Sequence, residues 1–492
     1  MTAVKRIFIR KKSDVDMTQG SIFGNIIMFA LPLLAGNLFQ QLYNMVDTWV
    51  IGQTGNDAAY AAVGSIGPAI NLLVGFFVGL SSGAGVVISQ YYGAKRENRV
   101  RDAVHTSVMA TLILGIAFTI IGVAISPHIL GLMLRADTSA SADTDAVYSN
   151  ALTYLTIYFS GVIGLMVYNM CSGILRAVGD STRPFYFLVV SSLMNIVLDL
   201  LFVFAFDMGV AGVALATIIS QFTSAVLSII TLLKTDACVK LIPKSLKIDF
   251  GILGEIFKIG IPSALQMALT SFSNMFVQSY ISGVDLNSGF GLNVGGKQIS
   301  VPVASMKEVG LGAWTTYSKI DMFIFLPVQS ISLAVTTFVA QNVGIGNIER
   351  AKKGANTGFF MGACANITLI VIAMIFAPFL SAIFNSNESI VHFSTIFLRW
   401  ITPFYFFTSI NQVYSAALRG AGNSRAPMII MLCTFVGLRQ IYLFIMSNYI
   451  SNGLLPIALG YPAGWIACAL TTFIYYRFFF KFPQSSIKRI SE

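Results

Sequence analysis

Charge is what this chain has least of: Asp, Glu, Lys and Arg together make up 11% of its 492 residues. Soluble domains carry about 25%, so a water-facing surface of ordinary size is excluded and lipid must solvate most of the chain. Histidine is equally sparse, with three copies at 105, 128 and 392. They lie scattered near the ends of apolar segments, where we read them as surface residues, and no HExxH or Ser–His constellation accompanies them. That removes the common zinc and nucleophilic enzyme classes. The five cysteines (171, 238, 364, 433 and 468) are odd in number and mostly inside apolar runs. They offer no disulfide framework or metal-ligand spacing and read as small buried packing residues. Residues 1–20 contain Lys5, Arg6, Arg10, Lys11 and Lys12 but no apolar core or small-residue cleavage site. No removable signal peptide is expected, and the first helix serves as its own signal.

Apolar residues are abundant, at 55%. They fall into twelve runs, at 21–50, 59–83, 103–126, 147–170, 184–206, 210–233, 251–283, 309–338, 354–377, 393–415, 427–449 and 454–480. Runs of about twenty residues cross a hydrocarbon core of roughly 30 Å. They do not alternate in polarity as barrel strands do. The net charge of +10 follows topology and does not call for nucleic acid. With the N-terminus inside, cytoplasmic pieces hold 24 of the 31 Lys and Arg, whereas the outer loops hold Arg135, Lys297 and Lys307. The positive-inside rule then places both termini in the cytoplasm.

The chain repeats itself. GILRAVGDSTRPF (173–185) matches AALRGAGNSRAPM (416–428) at an offset of 243, aligning Leu175, Arg176, Gly179, Ser181 and Pro184 with Leu418, Arg419, Gly422, Ser424 and Pro427. SQYYGAKRENRVRDA (89–103) matches AQNVGIGNIERAKKG (340–354) at 251, through Gln90/Gln341 and Gly93/Gly344. Pro32 matches Pro262 at 230, so an insertion of about twenty residues lies near 285–308 of the second half. Each half has six crossings, which makes them parallel repeats related by an axis along the membrane normal. The expected fold is an all-α membrane protein, with twelve transmembrane helices in two pseudo-symmetric six-helix bundles flanking a central cleft. Its parts are a tail (1–20), an N-lobe (21–233), a linker (234–250), a C-lobe (251–480) and a second tail (481–492). Gly179 and Gly422 suit a left-handed helix end, and Pro184 and Pro427 suit the opening of the next helix.

Few ionisable groups sit well inside the apolar runs: Asp47, Asp199, Lys319, Asp321, Arg399 and Arg439. Each costs roughly 2.5–3.5 kcal/mol when placed centrally and needs a partner or an aqueous pocket. Gln40, Tyr43, Asn44 and Asp47 share one helix face, at i, i+3, i+4 and i+7. Asn195 stands a turn before Asp199, and Thr217 adds a hydroxyl from the next segment. Two carboxylates with Asn and Thr oxygens form a hard-oxygen set for a proton or a small cation. The repeat puts Val277 and Tyr442 where the first half has Asp47 and Asp199, so the acid pair belongs to one half alone. In the second half, Asp321 and Arg439 either form a buried ion pair or line the C-lobe cavity. Gln266 and Asn274 complete the polar positions expected there.

YNMVDTWVIG (43–52), LRAVGD (175–180), NIVLD (195–199), YSKID (317–321) and LRGAGNS (418–424) resemble the multidrug and toxic compound extrusion (MATE) family, closest to its prokaryotic DNA-damage-inducible-type branch. The resemblance runs from Pro32 to the final helix. It implies a cation-coupled antiporter that exports cationic or amphiphilic organic compounds by alternating access. It implies H⁺ or Na⁺ as coupling ion, with Asp47, Asn195, Asp199 and Thr217 as the ion site of the N-lobe. Substrate contacts are expected from Gln40, Tyr43, Asn44 and Asn169, and bending of the first helix from Pro32. No cofactor is expected. The expected setting is the plasma membrane of a prokaryote, as a multi-pass monomer in the lipid bilayer, without nucleic acid. The 284–310 stretch departs from the family's short outer connection and is expected to form an outer loop. A lipid-linked sugar flippase is the alternative, but its cavity should be strongly cationic, and only Lys319, Arg399 and Arg439 are available inside.

Overall fold

The structure is a computed structural model that describes residues 15–134, 142–282, 306–450 and 452–483. The expected insertion near 285–308 lies almost wholly outside these residues, as do the basic groups of the N-terminal tail. Among the described residues, eleven helices are long and apolar enough to cross a membrane. A twelfth span forms when two consecutive helices meeting at 47° are taken as one. In chain order the spans are α1 (Ile22–Gly52), α2 (Asp57–Gly93), α3 (Glu97–Leu134) and the bent α4 (Ala142–Ser160 and Val162–Ala177). They continue as α5 (Thr182–Ala205), α6 (Gly209–Lys234), α7 (Phe250–Ser282) and α8 (Met306–Gly344). The last four are α9 (Ile348–Phe384), α10 (Glu388–Gly420), α11 (Arg425–Ile450) and α12 (Leu454–Phe479).

Helices α1–α6 pack as one lobe and α7–α12 as the other. The repeated loops are built alike. In the first, Gly179 has φ of +95° and its N–H donates to Arg176 O, while Asp180 N donates to Leu175 O. In the second, Gly422 has φ of +86°, with Gly422 N to Arg419 O and Asn423 N to Leu418 O. Both are left-handed helix ends that close orphan carbonyls, which is why glycine recurs there. The connection between lobes is tied to the N-lobe. Ile242 N donates to His105 Nε2 at 3.0 Å, and Asp249 N to Thr106 Oγ1 at 3.1 Å. His105 is therefore buried and not at the surface as expected, because the linker needs an acceptor. Of the cysteines, Cys171 and Cys468 are buried, but Cys364 and Cys433 are exposed.

The lobes meet along α2 and α7, with α8 against α1 and α2. Three glycines one turn apart form the seam: Gly75 faces Met267, Gly79 faces Ala264 and Gly83 faces Gly260. Without side chains between them the backbones approach closely, the mode of helix association that lipid favours. Gly93 and Gly344 continue the contact at the ends of α2 and α8, on the face where α1 begins. Toward the opposite face a Cβ on Gly64 or Gly67 would meet nothing.

Residues 15–19 cross the joined face. Val15 N donates to Gly179 O at 3.1 Å, on the N-lobe. Met17 is fully buried, and its carbonyl accepts from Asn342 Nδ2 at 3.0 Å and Arg350 Nε at 3.3 Å, both on the C-lobe.

A Cβ at Gly83 would lie 2.5 Å from Gly260 Cα, a backbone atom that cannot swing aside. Gly83→Ala should therefore destabilise by about 1–3 kcal/mol through overpacking. The expected outcome is a lower midpoint in detergent thermal denaturation, with Gly64→Ala showing no fall.

Candidate functional site

Asp47 lies 25 residues into α1, about 37 Å along the axis at 1.5 Å per residue. This is well past the middle, so the site sits away from the end where α1 begins and the lobes are joined. Asp199 reaches the same depth from α5, which turns π-helical directly after it, over Leu201–Ala205. Such turns often mark functional positions. The second half keeps a π-helical turn at Met446–Ile450 but has no acid before it.

The structure brings Asp47, Asp199 and Asn195 together: the Asp47 carboxyl interacts directly with the side chains of the other two. All three are buried, Asp199 at 0% exposure and Asp47 at 7%. Asp47 Oδ1, both Asp199 carboxyl oxygens and both amide atoms of Asn195 have no aligned hydrogen-bond donor or acceptor from the protein. Buried polar atoms nearly always have one. The cluster therefore retains capacity for a proton or a small cation, and its oxygens have the hardness such a cation needs.

Thr217 joins less directly. Its hydroxyl donates to Val213 O at 2.9 Å and lies near Tyr154. Tyr43 lies near Asp47 and Gln40. Asn44 is exposed, and Asn169 is half-buried, donating to Leu165 O at 2.9 Å. Tyr154 and Tyr158 were missed by the sequence reading. They stack on α4 with centroids 6.2 Å apart, and Tyr154 faces Asp47. Their i, i+4 spacing was the available signal. Pro32 lies inside α1, which continues through it as one helix.

The C-lobe positions do not form one network. No ion pair links Asp321 to Arg439 among the described residues. Arg439 is fully buried, yet it bonds Ser273 and donates twice to Asn274 Oδ1 at 3.1 Å. Its guanidinium lies 4.8 Å from the Tyr461 ring centre and 5.2 Å from that of Phe435. Asp321 instead accepts from Tyr405, whose hydroxyl also meets that of Tyr317 at 2.9 Å. Neutral oxygens and ring faces take the place of the carboxylate, which corrects the ion-pair reading. Gln266 is separate again, accepting from Arg419 at 3.4 Å and donating to Met431 Sδ at 2.9 Å.

The MatE family model matches residues 32–201 and 292–445. The chain is 26% identical over 490 residues to the probable multidrug resistance protein YoeA of Bacillus subtilis, covering 98% of both chains. Its fold is similar to that of a MOP superfamily transporter from Pyrococcus furiosus, with a TM-score of 0.83 at 23% identity, covering 95% of this chain and 98% of that one. It is also similar to a multidrug resistance MATE family transporter solved in an outward-facing conformation, with a TM-score of 0.82 at 23% identity and the same coverage.

Arg439→Ala should lower the melting midpoint by several degrees, because it removes a buried side chain and the partner of Asn274. Asp321→Asn should leave it nearly unchanged, since Tyr405 keeps an oxygen to donate to. A double-mutant cycle between them should give a coupling below about 0.5 kcal/mol.

Proposed function

The chain belongs to the MatE family, and from that premise we propose that it exports cationic and amphiphilic organic compounds in exchange for a proton or Na⁺. It works as a transporter and not as an enzyme. The observation that carries the coupling is the buried Asp47–Asp199 pair, for which the other lobe has no counterpart. Two close carboxyls out of water do not both carry charge unless a cation joins them. Loading the pair therefore changes its hydrogen bonding, and α1 is the helix that feels it. Pro32 gives α1 a point without a backbone donor, where it can bend. In this proposal Gln40, Tyr43, Asn44, Asn169, Tyr154 and Tyr158 contribute to the cargo site of the N-lobe, and bending narrows it so that cargo leaves. Aromatic faces suit cations of varied shape.

The setting follows from charge. The basic loops lie on the face where α1 begins, so that face is cytoplasmic in the plasma membrane of a prokaryote and both termini lie inside. Contact there, with α2 freed toward the other side, supports an outward-facing state. The protein acts as a monomer. A monovalent cation leaving against ~100 mV faces about 2.3 kcal/mol, and one coupled cation entering returns it. One-for-one exchange then draws only on the concentration gradient of the coupling ion.

Uptake of a fluorescent cationic dye into inverted vesicles under an imposed H⁺ or Na⁺ gradient tests this. Asp47→Asn and Asp199→Asn should each reduce gradient-driven uptake to that of empty vesicles, with unchanged melting profiles. Normal transport by both variants would overturn the coupling assignment.

A further inference from the structure

The end of each half-helix before the repeated loops leaves carbonyls with no partner in the helix. At α4 this end is Ala177, and at α10 it is Gly420, its equivalent at the 243 offset. Each is completed from the other lobe. Gln341 Nε2 on α8 donates to Ala177 O at 2.8 Å, and Gln90 Nε2 on α2 donates to Gly420 O at 2.9 Å. Gln90 and Gln341 are themselves repeat equivalents. The chain has thus made one contact twice, by two-fold exchange across the seam. The glutamines reach because Gly93 and Gly344 let each helix end lie directly on the backbone of the opposing glutamine.

We infer that Gln90 and Gln341 are the paired catch of the transport cycle, whose inter-lobe bonds hold the cytoplasmic face shut and break each time it opens. Granted the alternating-access reading, on which this rests, the two are unequal. Ala177 O also accepts from Ser89 Oγ of its own lobe at 3.1 Å. The equivalent of Ser89 is Ala340, which has no hydroxyl to offer Gly420. In the closed state, loss of Gln341 leaves its carbonyl partnered, whereas loss of Gln90 strands Gly420 O in a buried position. An unmade bond of that kind costs more than a replaced one.

The test is a spin-label distance measurement across this face in nanodiscs, in a background with the five native cysteines replaced. Asn98→Cys on α3 and Lys353→Cys on α9 carry the labels; both positions are exposed and each belongs to a different lobe. Gln90→Ala should raise the open-to-closed ratio about 5- to 10-fold and Gln341→Ala about twofold. Adding Ser89→Ala to Gln341→Ala should bring its shift up to that of Gln90→Ala. Unchanged distances in both single variants, or a larger shift for Gln341→Ala than for Gln90→Ala, would overturn the catch. Gln90 is only half-buried, so its variant carries the test if loss of the fully buried Gln341 impairs folding. Absence of gradient-driven dye uptake by the unmodified protein would instead sink the transport reading and leave the distance result standing.

Discussion

A carboxyl group held away from water must be given a proton, a cation or donors, and the N-lobe surrounds Asp47 and Asp199 with too few donors. Asp47 Oδ1, both carboxyl oxygens of Asp199 and both amide atoms of Asn195 lack an aligned protein partner, and Tyr43 and Tyr154 lie near Asp47. In the coupling proposed above, that shortfall is what lets the site respond. A fully bonded pair would be inert glue, because nothing arriving from outside would alter its energy. The C-lobe shows the other solution at a buried ion: Arg439 is wrapped by Ser273, Asn274 and two ring faces, leaving only its Nε unbonded.

Duplication followed by divergence gives the two lobes common mechanics and separate chemistry. The loops that end α4 and α10 kept their left-handed glycines, and the π-helical turns of α5 and α11 persist near equivalent positions. Symmetry was lost where polarity matters. Val277 is fully buried where α1 has Asp47, within an apolar cluster that also holds Trp314, Tyr317, Phe397 and Tyr405.

Much of this was legible in the sequence because it rested on local rules. Gly179 and Gly422 announced their loops by type and position, and helical spacing with the cost of burying charge singled out Asp47 and the Asn195–Asp199 turn, while their meeting across α1 and α5 was what the family resemblance implied. Tyr154 and Tyr158 were hidden for a physical reason: in a helix apolar on every side, an aromatic residue facing lipid and one facing a polar cluster look alike. Arg439 misled because charge suggests charge as a partner, whereas Ser273, Asn274 and aromatic faces carry no comparable sign in a sequence. The burial of His105 depended on a contact with Ile242, 137 residues away, which no local pattern records.

The short stretch from Val15 to Met17 has a consequence for how far the two halves can travel. It is moored to Gly179 at one end and to Asn342 at the other, with about 10 Å of chain between the moorings even when pulled taut. Any larger excursion on that side must slip one mooring, and Met17 must leave its pocket for the aqueous side. Under the alternating access proposed above, this stretch is thus a leash without slack, and its release sets a threshold that opening has to exceed.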